Sequence, residues 1–83
     1  MIGIVQHVNQ ENKLFSVVLE DGTYSVCICK DIHLIKLGDL FFGGFQHYGM
    51  NYIEAETAGK HFLVDIIAVS VSESTAKHKL LPI

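Results

Sequence analysis

The amino-acid sequence predicts an all-β fold: a small closed antiparallel β-barrel of five to six strands, with one short helical turn near residues 31–37. Hydrophobic and polar side chains alternate with a period of two along most of the chain. Short polar or glycine-containing clusters separate the segments rich in Val, Ile, Phe and Tyr. The single proline, Pro82, interrupts none of these segments. Several short strands of this kind are typical of a barrel.

The first half of the chain predicts three strands, at residues 2–9, 14–20 and 23–30. The second and third are joined by a tight turn in which Gly22 provides a positive φ. Alternation then stops, and the sequence predicts a helical turn with Asp31 as its N-cap and Gly38 at its C-terminal end.

The second half predicts a fourth strand from residue 39 to residue 48, with Gly43 and Gly44 at a bulge or barrel corner. Turns at 49–51 and 58–60 flank a strand at 52–57, and the last strand covers 61–72. Within this last strand Asp65 interrupts an apolar run, and we interpret it as a paired polar group or an edge-strand charge. Residues 1–72 thus form one barrel domain, and 73–83 form a C-terminal tail or docking arm.

Length and composition limit the class of protein. The 83 residues allow one domain, and a hydrophobic content of 49% excludes a disordered chain. No apolar run approaches the roughly 20 residues of a membrane helix. The first ten residues lack the basic start and apolar core of a secretory signal, so we expect a cytoplasmic protein. The net charge is −3 and arginine is absent, which weighs against nucleic-acid binding.

The segments "MIGIVQHVN" and "QENKLFSVVLEDGTYSVCICKDI" contain residues 3–30. These residues align without a gap with a four-part pattern: G-x-V-K-W-F-N, then K-G-F-G-F-I, then an acidic-glycine turn, and finally V-F-V-H-F. This third of the chain resembles the cold-shock domain, a five-stranded OB-fold barrel. Val17 and Ile28 replace apolar core residues of that family. The positions that keep the family residue are Gly3, Val5, Asn9, Gly22 and Val26. The resemblance implies an OB-type frame with a binding face on strands one to three.

The aromatic residues on which cold-shock domains stack nucleobases are not kept. Each base–aromatic stack contributes about 1–3 kcal/mol, so their loss removes most of the affinity that the family would imply. The family's tryptophan, phenylalanines, lysine and histidine are replaced by His7, Val8, Asn12, Leu14, Ser16, Cys27, Cys29 and Lys30. The resemblance therefore predicts the scaffold and not the activity.

The C-x-C pair of the third strand lies on this replaced face. If Val26 and Ile28 point into the barrel, then Cys27 and Cys29 point outwards. Their Cα atoms would be about 6.6 Å apart with parallel side chains, which disfavours a disulfide. The preferred interpretation is two small half-buried residues beneath a tail or a neighbouring chain.

A metal site is the weaker interpretation of the same cysteines. Its ligands would be Cys27, Cys29, His33 and His7, but structural zinc sites usually use C-x-x-C pairs carried by turns. We therefore predict no metal and no cofactor. The chain also lacks a nucleophile elbow and a glycine-rich phosphate loop, so we predict a protein that is not an enzyme.

The segment "FFGGFQHYGMNY" is the richest in aromatic residues. We expect Phe41 and Phe45, or their alternates, to fill the barrel. His47, Tyr48 and Tyr52 are candidate contact residues, because the loop between the last two strands often contacts ligands in OB folds.

Two functions remain open. The first is a binding module for a protein partner or for a second copy of the chain, as a homodimer. Its predicted interaction face consists of His7, Leu14, Ser16, Cys27, Cys29 and Lys30. Either a partner or the apolar end of the chain would cover that face. The alternative is weak binding of single-stranded RNA or DNA through a relocated surface of His7, Lys13, Lys30, Tyr48 and Tyr52.

Overall fold

The computed structural model describes residues 1–56 and 59–81. In this part of the chain six antiparallel strands close into a barrel in the order β1-β2-β3-β6-β5-β4. The strands are β1 (Ile2–Asn9), β2 (Leu14–Leu19), β3 (Tyr24–Cys29), β4 (Leu40–Phe42), β5 (Gly49–Ala55) and β6 (His61–Val71). A 3-10 helix (Ile32–Leu34) and one α-helix, α1 (Glu73–Leu80), complete the described elements. The predicted closed antiparallel barrel is confirmed and is consistent with an OB-like fold.

Alternation along the strands produces the barrel interior. Phe41 and Phe62 meet edge to face, with ring centroids 5.8 Å apart, and Phe45 is also fully buried. Ser25 is a polar residue of the interior, and its hydroxyl donates to the backbone carbonyl of Phe45. The other large interior residues are Val5, Phe15, Val17, Cys27, Cys29, Ile35, Ile53, Val64 and Ile66.

The region around β4 and β5 differs from the prediction. β4 ends at Phe42. The next residue, Gly43, packs closely against Ile53: a Cβ atom at Gly43 would lie 2.7 Å from Ile53 Cγ2. The chain then turns, and β5 begins at Gly49, where φ is +98°. The turn predicted at 49–51 is therefore strand, with Met50 paired to Asp65.

The helical interruption lies within the predicted residues 31–37, but the 3-10 helix ends at Leu34 and not at Gly38. Ile32 is buried, and Ile35, which follows the 3-10 helix, is buried as well. Asp31 occupies the N-cap position, but its side chain makes no capping hydrogen bond. Gly38 has a φ of +88°, and its N–H donates to the carbonyl of Val5, which ties this segment to β1.

The residues predicted as a tail form a helix that packs on the barrel. The side chain of Ser72 caps α1 by accepting a hydrogen bond from the Thr75 N–H, at 3.2 Å. Glu73 lies in the first turn and basic residues lie in the last turn, in favourable positions for the helix dipole. Ala76 and Leu80 pack in a second apolar cluster, outside the barrel, whose other members are Leu14, Tyr24, Val26, Ala68 and Val71.

Candidate functional site

The prediction that Cys27 and Cys29 point outwards is wrong. Both side chains lie in the barrel interior, with relative exposures of 0% and 1%. Val26 points outwards beneath α1, and Ile28 points to solvent. Helix α1 covers the outer face of β3 at Val26, so both faces there carry apolar residues and alternation alone does not identify the inner one.

The thiols are correspondingly poor nucleophiles. Burial raises the pKa of Cys27 well above its ordinary value, and it also raises the pKa of Cys29. The set of ligands considered for zinc is not assembled either. His7 lies on the outer surface near α1, and His33 is exposed on the 3-10 helix. Within residues 1–56 and 59–81 no three His, Cys, Asp or Glu side chains are grouped to hold a metal ion.

Three residues of the predicted interaction face, His7, Leu14 and Ser16, do lie together on the outside of β1 and β2. They are not free for a partner, because α1 lies over this face. His7 Nδ1 is 2.7 Å from Ser16 Oγ, and His7 Nε2 is 3.5 Å from Glu73 Oε2. Ser16 is fully buried. We call this surface the covered face; it consists of His7, Leu14, Ser16, Tyr24, Val26 and Ala68.

Both ends of α1 are attached to the covered face. At the first turn Glu73 contacts His7, whose ring centroid is 6.1 Å from that of Tyr24. Burial raises the pKa of Tyr24, and the negative charge of Glu73 raises it further. At the last turn the side-chain amide of Asn9 donates to the Leu80 carbonyl, which would otherwise lack a helical partner.

A second outer surface, formed by β3, β6 and β5, has no cover in the described part of the chain. Tyr52 lies directly opposite Leu63, and Asp65 lies between Met50 on one side and Ile28 on the other. The large apolar side chains here are between 37% and 68% exposed. We call this surface the open face; it consists of Ile28, Met50, Tyr52, Leu63, Asp65 and Ile67.

Of the residues of the open face, sequence reasoning named only Tyr52 as a candidate contact residue, and it interpreted Asp65 as a paired polar group or an edge-strand charge. The signal that could have found the others is the alternation of "HFLVDIIA", in which Leu63, Asp65 and Ile67 share the side opposite to the buried Phe62 and Val64. Of the other predicted contact residues, Tyr48 and His47 lie in the turn before β5, and Tyr48 is exposed. Lys30 is exposed immediately after β3.

Asp65 is the charged residue of the open face. It is half-buried, and among residues 1–56 and 59–81 its carboxylate has neither a hydrogen-bond partner nor an ion-pair partner. β6 is paired on both sides in the closed barrel, so Asp65 is not an edge-strand charge. The nearby pair of His61 and Glu54, 3.8 Å apart, is exposed and leaves Asp65 unneutralised.

No protein-family model, curated protein or solved structure matches this chain. Neither helix in the described residues has both the length and the apolar character needed to cross a membrane. The structure therefore shows a small closed barrel of six antiparallel strands, consistent with an OB-like fold, in which α1 occupies the covered face and the open face is exposed.

Proposed function

We propose that this protein is a non-catalytic binding module that recognises a protein partner through the open face. The observation that carries the proposal is the contiguous exposure of Tyr52, Leu63 and Met50 with two isoleucines on neighbouring strands. Single exposed apolar residues are ordinary on protein surfaces, whereas a contiguous patch of this kind usually marks an interface. The covered face does not offer a comparable patch, because α1 already buries it.

The chemistry of the open face defines the partner. A ligand that covers Ile28, Met50 and Leu63 also removes water from Asp65, and a carboxylate that loses water needs a compensating cation. The partner should therefore present a Lys or Arg surrounded by apolar side chains. Each strand of the described barrel pairs with two neighbours, so we expect recognition to use side chains and not the addition of a strand.

A second copy of the chain is a poor partner for this face. In a two-fold symmetric dimer the central residue faces its own copy, and the centre of the open face is Asp65. Two carboxylates would meet there and repel each other. The open face takes the place of the interface predicted at Leu14, Cys27 and Cys29. Leu14 lies under α1, and the two cysteines lie inside the barrel.

Weak binding of single-stranded nucleic acid is the second candidate, and one observation favours it. Tyr48 and Tyr52 are each 68% exposed and could stack bases. The resemblance to cold-shock domains would provide a scaffold for this function. Against it stand the net charge of −3, the absence of Arg, and the position of α1 over β1–β3, where the resemblance places the binding face.

Selection from a random peptide library displayed on phage tests the proposal. We expect peptides that combine Lys or Arg with Leu, Ile or aromatic residues to be enriched. The soluble peptides should shift the NMR signals of Leu63, Asp65 and Tyr52 and leave those of α1 unchanged. A parallel anisotropy titration with labelled single-stranded DNA and RNA, at two salt concentrations, tests the second candidate. Enriched peptides that perturb only other surfaces, or salt-sensitive oligonucleotide binding without peptide binding, would reject the protein-binding proposal.

A further inference from the structure

We propose that the partner of the open face is a longer segment, which continues around the barrel onto a second apolar patch and carries a basic residue for each surface. This inference rests on the proposed function, since it gives the extent and the charge pattern of the same partner. It concerns the outer sides of β4, β1 and β2, which lie beyond the open face.

A second group of apolar side chains lies on the outside of these three strands. Ile4 is paired with Leu40 on one side and with Val18 on the other, and Ile2 is paired with Phe42. Side chains that are directly opposite each other in an antiparallel pair share one face of the sheet. Ile4 and Phe42 are 37% and 42% exposed, and the others are half-buried. We call this surface the flanking patch; it consists of Ile2, Ile4, Val18, Leu40 and Phe42.

Glu54 lies between the flanking patch and the open face. It is directly opposite Phe42 on β4, and it is the next outward residue after Tyr52 on β5. Glu54 itself is exposed. The two apolar surfaces therefore adjoin at this carboxylate, and one bound segment can cover both.

The borders of the flanking patch are acidic. Glu54 borders it at β5, and Glu20 borders it at the end of β2, where its Oε1 accepts a hydrogen bond from the Ile2 N–H at 3.3 Å. No described strand contains a lysine, and the chain has no arginine. Within residues 1–56 and 59–81 the ion-pair partner of Glu54 is His61, whose ring is charged only when protonated.

This charge pattern defines the occupant of the combined surface. A segment that covers the open face removes water from Asp65, and its continuation over Phe42 removes water from Glu54. Each carboxylate that loses water needs a cation of its own. An apolar segment with two basic residues meets this requirement, whereas a segment that is acidic or wholly apolar does not.

The register of the strands gives the spacing of the two basic residues. Glu54 is opposite His61, and Asp65 follows His61 on β6 by two further outward positions. At about 3.4 Å per residue and about 4.8 Å between strands, the two carboxylates are roughly 14 Å apart along the surface. An extended peptide covers this distance in about four residues. We therefore expect enriched peptides to carry two basic residues about four positions apart, with apolar residues beside each.

Calorimetric titration of peptides enriched from a random library, with segments long enough to span both surfaces, tests this inference. We expect Phe42→Thr and Glu54→Gln each to weaken binding at least about fivefold. Both side chains are exposed, and circular dichroism checks that each variant is folded. The matched controls are Leu37→Thr, at an exposed apolar position before β4, and Glu11→Gln, at an exposed acidic position before β2. Each control should bind within about twofold of wild type.

Truncation of an enriched peptide separates the two surfaces. Removal of the half that contacts the flanking patch should abolish the effect of Phe42→Thr and keep the effect of Asp65→Lys. Peptides that respond to Asp65→Lys but bind Phe42→Thr and Glu54→Gln as tightly as wild type would overturn this inference and leave the proposed function intact. A library that yields no peptide dependent on Asp65 would reject both.

Discussion

Cys27 and Cys29 act as small hydrophobic residues in the barrel interior. Cys27 pairs across strands with Phe15, and Cys29 pairs with Val64, so both contribute to the contact between β3 and its neighbours. Their burial separates them from solvent oxidants and from metal ions. The chemistry of thiols therefore contributes nothing to the proposed function, although these residues attract attention in the sequence.

We expect neither thiol to react with a thiol-specific disulfide reagent while the protein is folded. Burial keeps both groups protonated, because it raises their pKa values, and it blocks approach of the reagent. Labelling monitored by absorbance should therefore be slow in buffer and complete in guanidinium chloride. Rapid labelling of the folded protein would contradict the interior position of β3's cysteines.

Gly43 allows β4 to pack closely on β5. We expect Gly43→Ala to lower the free energy of unfolding by about 1–3 kcal/mol, because the added methyl group would overlap Ile53. Gly44→Ala is the matched control: its Cβ would lie 3.3 Å from the side-chain oxygen of Asn51, which can shift, and the change should stay below about 1 kcal/mol. Urea unfolding measures both. Equal effects of the two substitutions would argue against a special role of Gly43.

At the scale of elements, α1 determines which surface of the barrel is free. Leu80 is the large apolar side chain that α1 buries, so we expect Leu80→Ala to destabilise docking by about 2–3 kcal/mol. Amide hydrogen exchange should then become fast in α1 and remain slow in β2 and β3. Lys79→Ala, at an exposed position of the same turn, serves as the control. Loss of protection throughout the barrel would contradict independent docking of α1.

Docking of α1 should also weaken in alkaline solution. The pKa of Tyr24 is raised above its ordinary value of 10.0, since its phenolate would be partly buried beside Glu73. A raised pKa means that the folded state binds the proton more tightly than the unfolded state. The associated stability is present below pH 10 and is lost as the pH rises through the folded pKa. Tyr24→Phe should remove this part of the pH dependence, as measured by urea unfolding above and below pH 10. An unchanged profile in Tyr24→Phe would reject the assignment.

The elements also show what the sequence could predict. Alternation located β1 correctly and nearly located β2 and β3, because each has one apolar side that faces the interior. It did not predict α1, whose only buried residues are Ala76 and Leu80, although the cap at Ser72 and the charge distribution were visible signals. The family pattern assigned the wrong side of β3 to the interior. The position of α1, which decides this, is a tertiary contact that no local pattern encodes.

At the scale of the whole molecule, closure of the barrel and docking of α1 leave the apolar side chains of the open face exposed. Each of the six described strands pairs with two neighbours, and the covered face is occupied by α1. The open face combines exposed Tyr52 and Leu63 with the carboxylate of Asp65, which has no partner within residues 1–56 and 59–81. In the function we propose, a basic residue of the partner completes this surface, which would let an acidic protein without Arg bind selectively.

The most direct test of this account is calorimetric titration of a selected basic, apolar peptide into wild type, Asp65→Lys and Glu11→Lys. Glu11 is exposed in the turn before β2, so its substitution changes the net charge by the same amount away from the open face. We expect Asp65→Lys to weaken binding at least about tenfold and Glu11→Lys to have little effect. Equal weakening by the two substitutions, or none by Asp65→Lys, would contradict recognition through the open face.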